Sequence, residues 1–216
     1  MPNTVELIGY YGGDESHAQS AWTSTYRELT IEKTMRIPEL LKFLADNEHE
    51  TPFEKSTQHF LVTCDQASHI HLLKHRIGVS INAESARYKE LKEDKFYLPE
   101  DWAGIDMDED SDWRHHLQWY TELGNKLYHR ALAELTPVLG RKRAKESARF
   151  FKTINSQITM DVMFNWRSFM HFQGLRNSEH AQLEIREIAQ QMLSLVQNIP
   201  GNPFEHSLKA FGYDSK

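Results

Sequence analysis

The sequence holds one cysteine, Cys64, in 216 residues. It can form no intramolecular disulfide, which fits a reducing compartment and makes the cytoplasm the expected location. Long apolar runs are also missing. A bilayer-spanning helix needs roughly 20 consecutive apolar residues, and no stretch provides them. The opening "MPNTVELIGYYGG" lacks the basic-then-apolar order of a secretion signal. Positive charge is not in excess: the net charge is −6, so broad binding along a nucleic-acid backbone is not expected. No glycine-rich strand-to-helix fingerprint supports a Rossmann or P-loop reading. The chain lacks an H-E-x-x-H motif and paired cysteines. His69 and His71, two apart on a predicted helix, diverge by about 200°. His115 and His116 are adjacent and diverge as well, so no metal site is expected. Internal repeats and low-complexity segments are absent.

Helical and strand patterns are present. "VELIGYYGG" reads as a short strand ending at Gly12-Gly13, and "STQHFLVTC" as a second strand. In "IPELLKFLADNEH" the apolar residues Ile37, Leu40, Leu41 and Leu44 have helical spacing. "ASHIHLLKHR" is a predicted helix with a basic triplet at its C-terminal end. The polar stretch from Tyr88 to Asp112, with Pro99 and an acidic run, is a predicted surface excursion. Further helices are expected over "DWRHHLQWYTELGNKLYHRALAEL", closed by Pro137 and Gly140, and over "RKRAKESARFF", "DVMFNWRSFMHFQGL" and "SEHAQLEIREIAQQMLSLVQNI". In the last of these, Met192 shares an apolar face with Ile185, Ile188, Ala189, Leu193 and Val196, which makes it core filling. The expected fold class is α+β: a helix-rich single domain over residues 1–216 with a small mixed or antiparallel sheet.

Three segments are polar where a core-facing pattern would be apolar. They are "HETPFEKS", the stretch from Lys74 to Lys89, and "NWRSFMHFQGLRNSEHAQLE". Taken singly, "HETPFE" also fits a helix end before a proline turn, and Arg176 also fits a surface arginine. Together they supply arginines for phosphate, hydroxyls and amides for a nucleobase, and imidazoles for a planar ring system. A basic cluster in an acidic chain points to a small anionic ligand. Cys64 ends an apolar strand and reads as a buried hydrophobe, so it is not expected to be a nucleophile.

These segments resemble the flavin-dependent thymidylate synthases. That family's signature is R-H-R, seven or eight residues, then a serine, usually in "S-x-R-Y". Here it stands as "KHR-IGVSINAE-SARY", with eight intervening residues. "HETPFE" is a second family motif, and "LRNSEHAQLEIR" is similar to the third. The resemblance is strongest over residues 38–198. It implies a homotetramer, with sites shared between protomers, that makes dTMP from dUMP. The carbon would come from 5,10-methylenetetrahydrofolate, and FAD would carry the hydride from NADPH. Motif by motif, His49, Thr51 and Glu54 match positions near the flavin, and Lys74, His75 and Arg76 match the triplet that holds FAD. Asn165, His171 and His180 match flavin-side positions. Ser85, Ala86 and Arg87 match the loop that grips the dUMP phosphate. Glu84 or its neighbour matches a nucleotide-contacting acid, Arg149 a nucleotide-contacting arginine, and Arg176 the arginine placed against uracil.

The residues themselves agree with this chemistry. Methylating C5 of uracil requires carbanion character there, and a charged, planar arginine can stabilise negative charge on the ring carbonyl. Arg176 is the candidate. Ser85 is the other candidate for the catalytic set. With no obvious base beside it, it reads as a hydrogen-bond donor to phosphate or base. The chain departs from the family at Lys74, where arginine is usual, at His71, where glutamine is typical and which falls in the substrate-binding set, and at His171, where asparagine is common. A relative acting on another pyrimidine, or adding hydroxymethyl, would keep the same phosphate loop. A non-catalytic nucleotide-binding protein would keep "SARY" and lose the flavin.

Overall fold

The structure is a computed structural model that describes residues 1–108 and 111–214. By internal packing the chain falls into two compact units. The first gathers Met1–Asn3, Thr63–Leu72 and Ala83–Met160; the second gathers Thr4–Val62, Leu73–Asn82 and the chain from Asp161 onward. Strands β2 (Thr57–Asp65), β3 (Val79–Ala83) and β6 (Gln157–Asn165) each run from one unit into the other. With β1 (Thr4–Tyr11) they form a four-stranded sheet of order β1-β2-β6-β3. Asn165 N–H bonds the Gly78 carbonyl and Glu84 N–H bonds the Thr159 carbonyl, at 2.9 and 2.8 Å, so β3 and β6 run antiparallel. The fold is helix-rich α+β with a small antiparallel sheet, as the sequence predicts.

In the second unit, helices α1 (Asp14–Trp22), α3 (Ile37–Asp46), α6 (Trp166–Arg176), α7 (Leu183–Gln197) and α8 (Glu205–Ala210) surround an aromatic core. A short helix, α2 (Ile31–Met35), is capped by Thr30, whose side chain accepts the Lys33 N–H. Phe53, Phe60, Phe164, Phe169, Phe172 and Phe204 are all fully buried, each worth about 1.5–3 kcal/mol of burial. Trp166 stacks on Phe204 with ring centroids 4.9 Å apart and planes 3° from parallel. Met192 is completely buried on α7, beside Ile188, Ala189 and Leu193, as its spacing predicts.

The first unit is built on α4 (Gln66–Leu72) and the 36-residue α5 (Trp113–Ala148), which Asp112 caps by accepting the His115 N–H. The helix does not close at Pro137. It breaks at Gly140, whose φ of 76° lies in the left-handed region that a side chain disfavours. The break lets Ala144 and Ala148 pack with Tyr128 and Leu132 in one buried cluster. The basic segment 141–148 is helical, as predicted.

Several predicted boundaries move. "DVMFN" is not helix but the second half of β6: its side chains alternate between buried and accessible, and Asn165 ends the strand and caps α6 at once. α4 stops at Leu72, so the basic triplet lies in the turn beyond it. Residues 178–182 form turns, and α7 begins at Leu183. The excursion after Tyr88 is mostly irregular but includes a small two-stranded piece, β4 (Asp106–Asp108) with β5 (Ser111–Asp112). Glu109 and Asp110, in the middle of its acidic run, lie outside the described residues.

Candidate functional site

The second unit carries most of the residues matched to the flavin side. The turn after α4 places His75 inward, 9% exposed, and leaves Lys74 and Arg76 exposed on either side. The His75 ring sits edge-on to Phe172 at 5.0 Å and to His171 at 6.3 Å. Arg176, at the last turn of α6, donates its Nε–H to His75 Nε2 at 3.0 Å. An imidazole nitrogen that accepts this bond carries no proton, so the guanidinium fixes the ring as the Nδ1–H tautomer. Because Nε is committed to His75, the guanidinium plane is fixed and its terminal N–H groups remain for a ligand. Among the described residues no carboxylate pairs with Arg176, Lys74 or Arg76.

The triplet's exit is anchored on the start of α6. Asn165 caps that helix, accepting the Ser168 N–H at 2.9 Å, and Ser168 Oγ donates to the Ile77 carbonyl at 2.6 Å. Gly78 has φ 63°, and a Cβ there would lie 2.3 Å from both Asn165 Nδ2 and Ser168 Oγ. No residue but glycine fits this approach without displacing the cap. "HETPFE" forms a short 3-10 turn over Thr51–Lys55. Arg167, in the first turn of α6, grips it through Glu50 at 2.6 Å and Glu54 at 2.8 Å. His49 follows α3, its N–H on the Leu44 carbonyl and its ring 6.1 Å from Phe43. Thr51 and His180 are exposed, and no hydrogen bond among the described residues joins them to the His75–Arg176 cluster.

The first unit carries the residues matched to the nucleotide phosphate. The Ser85 carbonyl accepts the N–H groups of Tyr88 and Lys89, and Ser85 Oγ accepts from the Arg87 N–H at 3.3 Å. Ala86, between them, is half-buried. The Arg87 guanidinium meets Glu146 at 3.3 Å and lies over the Tyr88 ring. Lys145 donates to the Tyr88 carbonyl, and Arg141 pairs with Glu90 at 3.1 Å. The basic helical segment thus buttresses this loop, and Arg149 stands exposed just past its end. Glu84 is engaged locally: its carboxylate accepts from the Thr159 N–H at 3.1 Å and from Lys89 at 2.6 Å. His71, at the end of α4, keeps its Nδ1 buried without a hydrogen-bond partner.

Cys64 is completely buried, and burial, reinforced by the neighbouring Asp65, pushes its thiol pKa far up. A thiol so placed supplies no thiolate at neutral pH. Among the described residues no group of His, Cys, Asp and Glu gathers as a metal site would, and no helix is long and apolar enough to cross a membrane. Arg167, Gly78 and Ser168 were given no site role by the sequence. Gly78 was the legible one, as a glycine two residues beyond the basic triplet.

Residues 6–200 match the family model described as thymidylate synthase complementing protein. Curated relatives named flavin-dependent thymidylate synthase include those of Thermosipho melanesiensis, 30% identical with 97% of this chain and 91% of the relative covered, and Streptomyces avermitilis, 27% identical with 89% and 82% covered. The relative from Pseudothermotoga lettingae is 29% identical, with 90% and 85% covered. Among solved structures, the chain resembles the UMP/dUMP methylase PolB from Streptomyces cacaoi bound with 5-Br dUMP. The TM-score is 0.76 at 26% identity, covering 99% of this chain and 96% of that one.

Proposed function

The chain belongs to the thymidylate synthase complementing protein family, whose curated relatives are flavin-dependent thymidylate synthases, and on that premise we propose that it methylates C5 of dUMP to give dTMP. The one-carbon donor is 5,10-methylenetetrahydrofolate, and NADPH is the reductant, acting through FAD.

The observation that carries this reading is Arg176: a half-buried guanidinium with no carboxylate partner among the described residues, held by its Nε on His75. A pyrimidine whose C5 is nucleophilic shares its negative charge with a ring carbonyl oxygen, as an enolate does, and that charge builds up as the base is activated. A pre-oriented guanidinium stabilises that charge more in the transition state than in the ground state. The burial of Cys64 supports the same conclusion, because the alternative activation, thiolate addition at C6, has no nucleophile.

The donor set fits FAD. Lys74 and Arg76 offer exposed cations to a pyrophosphate, and the exposed His171 ring offers a flat contact. FAD, when bound, supplies the hydride transfer that reduces the one-carbon unit to methyl. The protein's part is to hold and orient. Arg167 fixes the turn bearing Thr51 and Glu54, and Asn165 and Gly78 fix the exit of the triplet. Arg87, Ser85 and Arg149 take the nucleotide phosphate, and Glu146 sets the direction of Arg87. Sites are shared between protomers of a homotetramer. The exposed Trp119, Tyr120, Leu123 and Leu127 along α5 support assembly.

A second reading, methylation of UMP as well as dUMP, is favoured by the PolB likeness and by the departures at Lys74, His71 and His171. Mass spectrometry of products formed from dUMP and UMP, supplied separately under anaerobic conditions, decides between them. The primary reading expects methylated product from dUMP and none from UMP. Comparable methylation of both establishes the second. Neither nucleotide methylated by FAD-loaded protein removes both.

A further inference from the structure

α1 and α8 carry no motif, yet they hold a buried polar chain that ends on the "HETPFEKS" turn. Ser207 Oγ donates to Asp14 Oδ1 at 2.6 Å. Asp14 also accepts the N–H groups of Ser207 and His206, each at 2.8 Å, which suits an ionised carboxylate although burial raises its pKa. Ser207 has only one hydroxyl proton, and Asp14 receives it. The 2.8 Å contact between Ser207 Oγ and His17 Nδ1 therefore needs the proton on nitrogen. His17 Nε2 is then an acceptor, and its partner, Ser56 Oγ at 2.7 Å, must donate. The direction of every bond follows: Ser56 to His17, His17 to Ser207, Ser207 to Asp14. His17, Ser207 and Ser56 are at most 1% exposed, so the chain has no access to substrate and none of its members is a nucleophile.

Its placement gives it a different role. Ser56 directly follows the 3-10 turn that bears Thr51 and Glu54. The His17 ring also packs edge-on against Phe53 of that turn at 5.1 Å and lies 6.0 Å from Trp166, the first residue of α6. His17 therefore touches the two segments that Arg167 joins from the solvent side through Glu50 and Glu54. We infer that the Asp14–Ser207–His17–Ser56 chain is a positioning device for the cofactor side of the site, which makes the C-terminal helix α8 part of the scaffold that sets FAD affinity. The inference rests on the flavin assignment above. A single hydroxyl removed from this chain leaves a buried donor or acceptor without a partner, and the turn relaxes to satisfy it.

The test compares Ser207→Ala, Ser56→Ala and His17→Gln with the wild type. Leu132→Ala serves as a control that destabilises the unrelated cluster around Tyr128. FAD dissociation constants are measured by titrating apo-protein well below each melting temperature, and amide hydrogen exchange is followed over residues 51–56 and 165–168. The expected result is FAD binding weakened about tenfold or more in the three chain variants, the size of one lost hydrogen bond. Exchange in the two segments should be faster. Leu132→Ala should melt earlier yet bind FAD within about twofold of the wild type. Chain variants that keep wild-type FAD affinity, or a control that loses as much, overturn the inference. A wild-type protein that takes no FAD removes the functional reading instead. The exchange arm then still decides whether the chain fixes the turn, and unchanged protection at 51–56 refutes it.

Discussion

If His75 works by holding Arg176, mutating both should cost little more than mutating Arg176 alone. On the proposed mechanism Arg176→Ala removes the donor that stabilises the developing ring charge, and losing one pre-organised donor of this type lowers kcat by about 10²–10³-fold. His75→Ala leaves the guanidinium in place but frees it from the 3.0 Å bond at Nε. A lost hydrogen bond to a charged group is worth about 1.5–3 kcal/mol, so kcat should fall roughly 10–150-fold. Once Arg176 is absent there is nothing left to orient. The double variant should then sit near Arg176→Ala, well short of the product of the two single losses. The assay is turnover at saturating dUMP, normalised to bound FAD. His75→Ala also opens a cavity against Phe172, so thermal melts must show that each variant is folded at the assay temperature. Strictly multiplicative losses would refute the coupling and return His75 to a direct contact with cofactor. Losses confined to KM in both single variants would refute the role given to Arg176.

Four further outcomes are expected. Arg76→Ala should purify with much less FAD while its melting temperature barely moves, because its cation is exposed and, on the proposed assignment, serves the cofactor rather than the fold; a fully yellow variant excludes it from the site. Arg87→Ala should raise KM for dUMP far more than it lowers kcat, measured by initial rates. Cys64→Ser should keep its turnover and lose about 1–3 kcal/mol of stability to a buried hydroxyl, read by denaturant melts; a folded, flavin-loaded but dead variant would revive covalent catalysis. Burial draws the His17 pKa down from the usual 6.5 to about 3, so the unfolded chain binds this proton more readily than the folded one. The group's contribution is complete above pH 6.5 and is lost as pH falls toward 3, by about 1.4 kcal/mol per unit. Stability of the wild type relative to His17→Gln should therefore decline over that window, and parallel pH profiles would contradict the burial argument.

Elements with one clean period were legible in the sequence. β2 alternates inward Phe60, Val62 and Cys64 with partly exposed neighbours, and α3 and α7 carry buried stripes at helical spacing. β6 was hidden because its apolar run passes into α6 with no glycine or proline between them. The change of period falls at Asn165, a cap that looks like an ordinary polar residue. β3 was masked by the polar residues that make its segment chemically interesting. Within the site, the local motifs were legible and the long-range partners were not. Arg167 and Glu54 are 113 residues apart, and His17 and Ser207 are 190 apart, so no spacing rule joins them. The grip on "HETPFE" from both sides is a property of the fold and leaves no local pattern in the sequence.

The proposed chemistry requires that this chain activate C5 of dUMP without a thiol. The direct measurement is anaerobic tritium release from [5-³H]dUMP by FAD-loaded protein, with NADPH and 5,10-methylenetetrahydrofolate present and each omitted in turn. Sustained release that requires both co-substrates, persists in Cys64→Ser and collapses in Arg176→Ala is the predicted result. No release from folded protein with bound FAD and bound dUMP, or release abolished by Cys64→Ser alone, contradicts it.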